Sequence, residues 1–538
     1  MKFKYDKNTE ELIVNESTRI EYHQMELWLT RYVKNYKYSP AYKMNVWDGK
    51  QSYFRNGKIN LGLWKEAWKG CKEIDVPFVV INKEDFPLNR DVTLEKVNKF
   101  CDEFFKTHKV KNSSGEMISF HPYTHQIETA YKILKNRYCM AEVATSGGKS
   151  LIISIVIFYI LKNIDKNAKF LIIVPSITLV TQFYDNIFEY NYGYNHLEKL
   201  TNKEISIINK STTNHSPCNI SIEEIMSDNP RRWSGKKDAN IYIGTYQSLE
   251  KWPKTFFKQF HTVITDECHK SKSKSYLKIL GNTFNSAYNR FGLSGTTPSE
   301  DSCEILTIQS VLGPKISEIS AVELKDKGII SPMQIKAVIL NHNDEEYGQR
   351  VKSLRKSGYG KEAYELEKAY IHQSGKRIDF IKKIIDKCQT NTLLLFNTIE
   401  YGQELFNELS NGIEGKEFYY IDGEIPGKKR EEIKKIMEIT EGNTKILIAS
   451  YGTLSTGVSI NAIFNVIFAD SFKSEQIIIQ SIGRALRLHD EKKIANIFDI
   501  VDVFSAKDMS NILYNHFIER SKFYKKRKYP CKEVKINL

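Results

Sequence analysis

The sequence predicts an α/β protein of two tandem lobes, each a parallel sheet flanked by helices, behind a small N-terminal α/β domain. Three observations predict it. Short β-rich runs alternate with amphipathic helical stretches from about residue 138 to 300, and the same alternation resumes after residue 331. The first 112 residues differ from both, being rich in Tyr, Trp and Lys. A chain of 538 residues is also too long for one core. Boundaries are expected at 1–112, 113–330, 331–510 and 511–538, the last a basic tail.

Taken in order, "VWDGK" and "FRNGK" punctuate the N-terminal domain as hairpins would. Strands of the first lobe are expected in "YCMAEVAT", "KFLIIVP", "ANIYIGTY", "HTVITDECH" and "RFGLSGT", each ending in small or polar residues as βα loops do. The apolar run Leu151 to Leu161, "LIISIVIFYIL", is about half a membrane span and reads as a buried helix. Gly328 and Pro332 in "KDKGIISPMQ" mark a changeover between lobes. Second-lobe strands are expected in "KAVIL", "NTLLLF", "EFYYIDG", "TKILIAS", "NVIFAD" and "IANIFDIVD". From Arg520 the chain reads "RSKFYKKRKYPCKEVKINL", strongly basic.

Composition narrows the function classes. Eight cysteines lie scattered without a C-x-x-C pair or a Cys/His cluster, which argues against structural zinc and a disulfide framework. A reducing cytosol is the expected compartment, that of the host cell if the chain is viral. The N-terminus "MKFKYDKNTE" has no secretory h-region, and no segment predicts a membrane span. A net charge of +14 points to a polyanionic partner.

The chemistry concentrates in "AEVATSGGKS", Ala141 to Ser150. A phosphate-binding loop needs glycines so that backbone N–H groups point inward, and a helix N-terminus to add positive charge. Ser146, Gly147 and Gly148 supply the loop, Lys149 reaches the β- and γ-phosphates, and the Ser150 hydroxyl ligates Mg²⁺. Ala144 replaces the first glycine of the usual pattern. Downstream, "VITDECHK" ends a buried strand in Asp266 and Glu267. Asp266 can hold Mg²⁺ while Glu267 positions and deprotonates an attacking water, which is what ATP hydrolysis requires. In "IIIQSIGRALR", Gln480 opens a helix carrying Arg484 and Arg487, whose planar guanidinium groups suit the spread charge of a phosphoryl transition state.

The order "ATSGGKS", "DECH", "LSGTTP", "QSIGRALR" resembles the superfamily 2 helicases. That resemblance implies RecA-like lobes and Gln126 of "HPYTHQIETA" reading the adenine edge, although the preceding residue is His125 where an aromatic is common. It implies that His269, Ser294 and Thr296 link the nucleotide site to the nucleic-acid groove, and that both arginines face the γ-phosphate. "IASYGTLSTGVSI" is similar to motif V, placing Ser450, Thr456 and Gly457 near strand backbone or nucleotide; Ser459 stands where many relatives carry an aspartate. "VPSITLVTQ" with Ser176, Thr178 and Gln182, and "IGTYQSL" with Thr245 and Gln247, are candidate phosphate-backbone contacts that position a strand without reading sequence.

With "YSPAYKMNVWDGK" in the N-terminal domain, the resemblance extends over nearly the whole chain to UvsW-type phage recombination helicases. It implies ATP and Mg²⁺ as cofactors and a motor that remodels branched DNA in recombination, repair and replication. The implied partners are single-stranded and branched duplex DNA, an RNA–DNA hybrid, and single-strand-binding or recombination proteins. Tyr42, Lys43, Trp47 and Lys50 interleave rings and charge, suiting either DNA stacking or a small core. "RRWSGKK", Arg231 to Lys237, and the tail "KKRK" suit either DNA contact or solvation. An RNA helicase, the motor subunit of a restriction or nuclease complex, and an idle nucleic-acid-binding scaffold remain as alternatives.

Overall fold

The computed structural model describes all residues except 87–89, 112–116, 194–216, 227–238, 285, 456–459, 473, 490–491 and 506–508. They form two compact units: Met1–Val143 with Gly148–Ile319, and Ser320–Leu538 with the loop segment Ala144–Gly147.

The first unit holds a seven-stranded, wholly parallel sheet in the order Ile222–Ile225, Ile241–Thr245, Phe170–Val174, Thr262–Asp266, Asn289–Ser294, Tyr138–Val143, Lys315–Ile319. Its central strands are buried at every position, because helices cover both faces of a parallel sheet. The run Leu151–Leu161 is buried along its whole length in the helix Lys149–Asn163.

The N-terminal residues build a four-stranded sheet in the order Lys58–Asn60, Glu11–Glu16, Lys2–Asp6, Val79–Val80. This small N-terminal sheet domain belongs to the same compact unit as the first lobe. One apolar core runs from Phe3, Leu12 and Leu29 through Leu61 and Leu63 to Ile305, Leu312 and Tyr242. Within it the buried Arg290 donates from Nη1 to Glu10 Oε1 (3.1 Å) and from Nε to the Val311 carbonyl (3.1 Å), its guanidinium lying 4.5 Å from both the Tyr138 and Phe284 rings. Tyr53 Oη donates to the Cys303 carbonyl at 2.8 Å. A domain with so few strands gains most of its burial from the larger lobe it packs on.

The second unit repeats the architecture: Lys416–Ile421, Thr444–Ser450, Thr392–Phe396, Asn465–Phe468, Ala495–Val503, Met333–Asn341, Cys531–Asn537, all parallel. It begins at Ser320 rather than 331. The expected basic tail is corrected more fundamentally. Residues Ile512–Lys526 are helical and Cys531–Asn537 is a strand of the sheet. Arg520 is fully buried, donating to both Asp499 oxygens at 3.0 and 2.8 Å, and Tyr524 Oη donates to the same carboxylate at 2.8 Å. A buried guanidinium needs such a bidentate partner, so the basic sequence here is partly core.

All eight cysteines are free thiols, Cys531 alone exposed. No helix among the described residues is long and apolar enough to cross a membrane.

Candidate active site

The loop before the helix Lys149–Asn163 is shaped by two residues of positive φ, Ser146 (66°) and Gly148 (80°), with Gly147 N–H closing on the Ala144 carbonyl at 3.0 Å. Gly148 is required twice over. Its left-handed backbone disfavours a side chain, and a Cβ there would lie 2.1 Å from Gln126 Nε2. Gln126 is buried against the loop, and its Oε1 accepts the Tyr123 N–H at 2.8 Å. Lys149 and Ser150 open the helix, where backbone N–H groups and the helix dipole favour an anion.

The strand Thr262–Asp266, buried at every position, delivers Asp266 at its C-terminal end. Glu267 then breaks the strand in the left-handed region (φ 50°, ψ 51°) ahead of the 3₁₀ turn Cys268–Lys272. For a non-glycine residue that conformation costs about 1–2 kcal/mol, the kind of local strain that clusters at functional sites.

The break brings four groups together. Lys149 Nζ lies 3.4 Å from Glu267 Oε1; His269 Nδ1 lies 3.2 Å from Glu267 Oε2 and 2.8 Å from Ser294 Oγ. Ser294 Oγ also stands 3.2 Å from Glu267 Oε2 and accepts the Thr296 N–H at 3.2 Å. Burial alone would raise the Glu267 carboxyl, but Lys149 and His269 hold it well below the usual carboxylate range. Burial likewise works against the Lys149 ammonium, yet Glu267 and Asp266 keep it charged. Asp266 goes the other way: burial, then the neighbouring Glu267, push its carboxyl up to about 7.

Among the described residues, the buried Asp266 Oδ1 has no hydrogen-bond partner. A buried carboxylate oxygen left bare is costly, and a divalent cation held by Asp266 and Ser150 would satisfy it. The donor set, one carboxylate and one hydroxyl, suits the oxygen-seeking, water-retaining Mg²⁺.

One candidate was not legible as such. Tyr123 is exposed, its ring stacked on His125 at 5.9 Å and 17°. The aromatic three residues before Gln126 was the available signal; the expected position, 125, is buried histidine.

In the second unit the helix Glu475–Ala485 starts at Ser474, whose hydroxyl caps Ile477 N–H. Gln480 therefore lies within the helix rather than opening it, and Arg487 falls beyond its end. Lys492 Nζ gathers the carbonyls of Ala485 (3.2 Å), Arg487 (2.9 Å) and Asn461 (2.9 Å), satisfying helix-terminal acceptors. Burial, then Arg487, bring its ammonium down to about 7. Arg487 Nη1 donates to Asn461 Oδ1 at 3.0 Å. The Arg484 side chain, Thr456, Gly457 and Ser459, and the loop 231–237, lie outside the described residues.

The expected strand contacts divide. Thr245 is buried, its hydroxyl capping Ser248 N–H (3.4 Å) and bonded to Ser248 Oγ (2.9 Å); Gln247 beside it is exposed. Ser176 caps the helix Ile177–Tyr192 by position, with Thr178 and Gln182 half-buried on it. Ser450 Oγ pairs with Thr453 Oγ1 at 2.7 Å. In the N-terminal region Tyr32, Tyr36 and Tyr42 form a run of ring contacts (4.6 and 4.8 Å), Lys50 lies 5.2 Å over Tyr32, and Trp47 Nε1 donates to the Lys50 carbonyl at 2.8 Å.

Two family matches coincide with the two units' motifs. Residues 119–299 match the type III restriction enzyme res subunit family, and residues 376–489 match the helicase conserved C-terminal domain. With the lysine loop, the paired carboxylates and the two parallel sheets, these make the chain an ATP-hydrolysing helicase of superfamily 2. Along almost its whole length it is similar to the ATP-dependent DNA helicase uvsW of Enterobacteria phage T4, 27% identical over 531 residues and 96% of both chains. The crystal structure of T4 UvsW covers 100% of this chain and 99% of its own at 24% identity and a TM-score of 0.46. DEAD-box helicase Mss116 bound to single-stranded RNA covers 83% of this chain and 81% of its own at 15% identity and a TM-score of 0.52, a likeness of fold.

Proposed function

We propose that the chain is a DNA motor that remodels branched substrates, driving branch migration and processing forks, D-loops or R-loops in recombination, repair and replication within a host cytoplasm. The observation that carries the motor chemistry is the Lys149–Glu267–His269–Ser294 cluster beside the bare Asp266 oxygen. The choice of DNA, and of branched DNA, is supported by end-to-end similarity to a relative named as a DNA helicase and by the net charge of +14.

In this reading Lys149 has two partners in turn. In the structure it is paired with Glu267; β- and γ-phosphates would draw it away, and Glu267 would lose the charge that depresses its basicity. The carboxylate then accepts a proton from the attacking water while His269 and Ser294 fix its orientation. Asp266 and Ser150 would hold Mg²⁺, which supplies charge withdrawal at the phosphate oxygens. Tyr123 offers a ring face to the base and Gln126 an amide to its edge. Arg484 and Arg487 complete the site as electrostatic stabilisers of the transferring phosphoryl group, and His269, Ser294 and Thr296 pass the nucleotide state to the strand contacts.

Two experiments test this. Glu267→Gln is expected to keep ATP binding and lose turnover by about 10²–10⁴-fold, the range for removal of a general base; parental turnover would overturn the assignment. ATPase stimulation is compared for single-stranded DNA, duplex, a four-way junction and RNA. DNA forms, the junction above all, are expected to stimulate most, and preference for RNA over every DNA form would replace the reading with an RNA helicase.

A further inference from the structure

We infer that the helical hairpin of the second unit, helices Glu345–Lys356 and Gly360–Gln373, is a strand-separating wedge that seats the ring of Tyr359 on the last base pair of a duplex at the point of opening. The inference rests on the DNA-motor reading above.

The hairpin interrupts the sheet between Met333–Asn341 and Thr392–Phe396, leaving from Asn341, the C-terminal end of its strand. Because every strand pair in this sheet is parallel, Ser450 emerges from the same end. Ligand sites of parallel sheets gather at that end, so the hairpin shares an edge with a candidate strand contact.

Its base is fastened heavily. Tyr347, Tyr370, Phe504 and His342 pack ring against ring, with the Tyr347–Tyr370 centroids 4.5 Å apart. Tyr347 Oη donates to the Leu366 carbonyl (2.8 Å), joining the two helices. Glu367, fully buried, accepts the N–H groups of Ile512 (2.8 Å) and Leu513 (2.9 Å), bonding the second helix to the start of Ile512–Lys526. Nearer the tip, in the last turn of the first helix, Arg355 Nη1 donates to the Ser510 carbonyl at 2.6 Å, so the hairpin is tied down along its length. Toward the far end of the second helix, His372 stacks on Tyr401 at 3.8 Å and 6°.

The tip is the opposite. Ser357 and Gly358 are exposed, Gly358 turning at φ 91°, and Tyr359 is 56% exposed. Lys356 and Lys361 flank it in the open, against Glu362. Gly358 N–H donates to the Arg355 carbonyl (3.2 Å) and Tyr359 N–H to the Leu354 carbonyl (3.1 Å), a helix closure in which an apolar residue at 359 commonly packs back on the helix; here the ring is instead left exposed between two cations. A ring stacks on any base pair, and flanking ammonium groups meet the phosphates on either side, so the contact reads no sequence. A rigid stalk with an aromatic tip resists the duplex while the motor pulls one strand past it.

The test uses the full chain with Tyr359→Ala, Tyr359→Phe and the Lys356→Glu/Lys361→Glu pair. Tyr359→Ala is expected to keep single-strand-stimulated ATPase and displacement of streptavidin from a biotinylated single strand within twofold of the parent. Its unwinding of a forked duplex is expected to fall about tenfold, the scale of one base–aromatic stack, with Tyr359→Phe restoring it. The double lysine variant is expected to weaken fork unwinding and make its salt dependence shallower, since two phosphate contacts are lost. Parental fork unwinding by Tyr359→Ala would overturn the wedge while leaving the motor reading intact. A parent chain whose ATPase no DNA stimulates would overturn both.

Discussion

Replacing Asp266 by asparagine is expected to stabilise the first unit while abolishing its chemistry, and the size of the gain follows from the site. In the folded chain the Asp266 carboxyl is pushed up to about 7 from 3.8 by burial and by Glu267. The folded state thus keeps a proton that the unfolded chain releases. The stabilisation from that proton is whole below pH 3.8 and is lost as pH rises through 7. A gap of about three pH units corresponds to about 4 kcal/mol at 1.36 kcal/mol per unit. Asparagine escapes that loss, and the attraction of Lys149 is already contained in the value of about 7, so the expected gain at pH 8 is about 4 kcal/mol. At roughly 2 °C per kcal/mol for a large unit, the variant should melt about 8 °C above the parent. The assay is thermal unfolding of both proteins in EDTA at pH 8 and pH 5. The advantage should shrink by more than half at pH 5, because less of the window between the two pKa values has been crossed. An advantage equal at both pH values, or a lower melting temperature for the variant at pH 8, would refute the reasoning.

Three further outcomes are expected. Gly148→Ala should weaken nucleotide binding, measured by fluorescent ATP-analogue titration, and cost about 1–2 kcal/mol of stability, since its left-handed backbone disfavours a side chain and its Cβ would strike Gln126. Glu10→Ala should destabilise by about 3–5 kcal/mol in denaturant unfolding, because it strands the buried Arg290 without a counter-charge. Ser294→Ala should leave ATP binding intact but lower DNA unwinding more than ATPase, as the bond joining His269 to Ser294 is lost; an equal fall in both activities would show no coupling role.

Much of this was legible in the sequence, for identifiable reasons. Every strand expected between residues 138 and 300 forms, because interior strands of a parallel sheet are continuous apolar runs bounded by small residues. Within the two seven-stranded sheets, the strands that escaped are at the edges: "IEEI" at Ile222–Ile225, "KISEI" at Lys315–Ile319 and "CKEVKIN" at Cys531–Asn537. Half-exposed edges carry charges that discourage pairing with other chains, and those charges hide the β pattern. The catalytic cluster was legible because lysine loop and paired carboxylates are dense in chemistry. The left-handed turn at Glu267 and the Tyr123–His125 stack were not, since both depend on how a strand end meets its neighbours. The hairpin Glu345–Gln373 went unnoticed because its signals, a tyrosine between glycines and scattered lysines, gain meaning only once its base is seen to be anchored.

The position of the strand Met333–Asn341 has a consequence for how the second unit is made. Its two neighbours are Ala495–Val503 and Cys531–Asn537, so Asn341 waits for Asn537, 196 residues later, before their side chains meet at 3.0 Å. Such distant pairings form slowly because a long loop must close before any contact rewards it. Until Ala495–Val503 is made both flanks of the strand stay open to other nascent chains, and one flank stays open until Cys531–Asn537 follows. Shortening the polypeptide to residue 510 would keep Ala495–Val503 but leave the flank covered by Cys531–Asn537 open for good, and such a fragment is expected to partition into inclusion bodies rather than yield a smaller working motor.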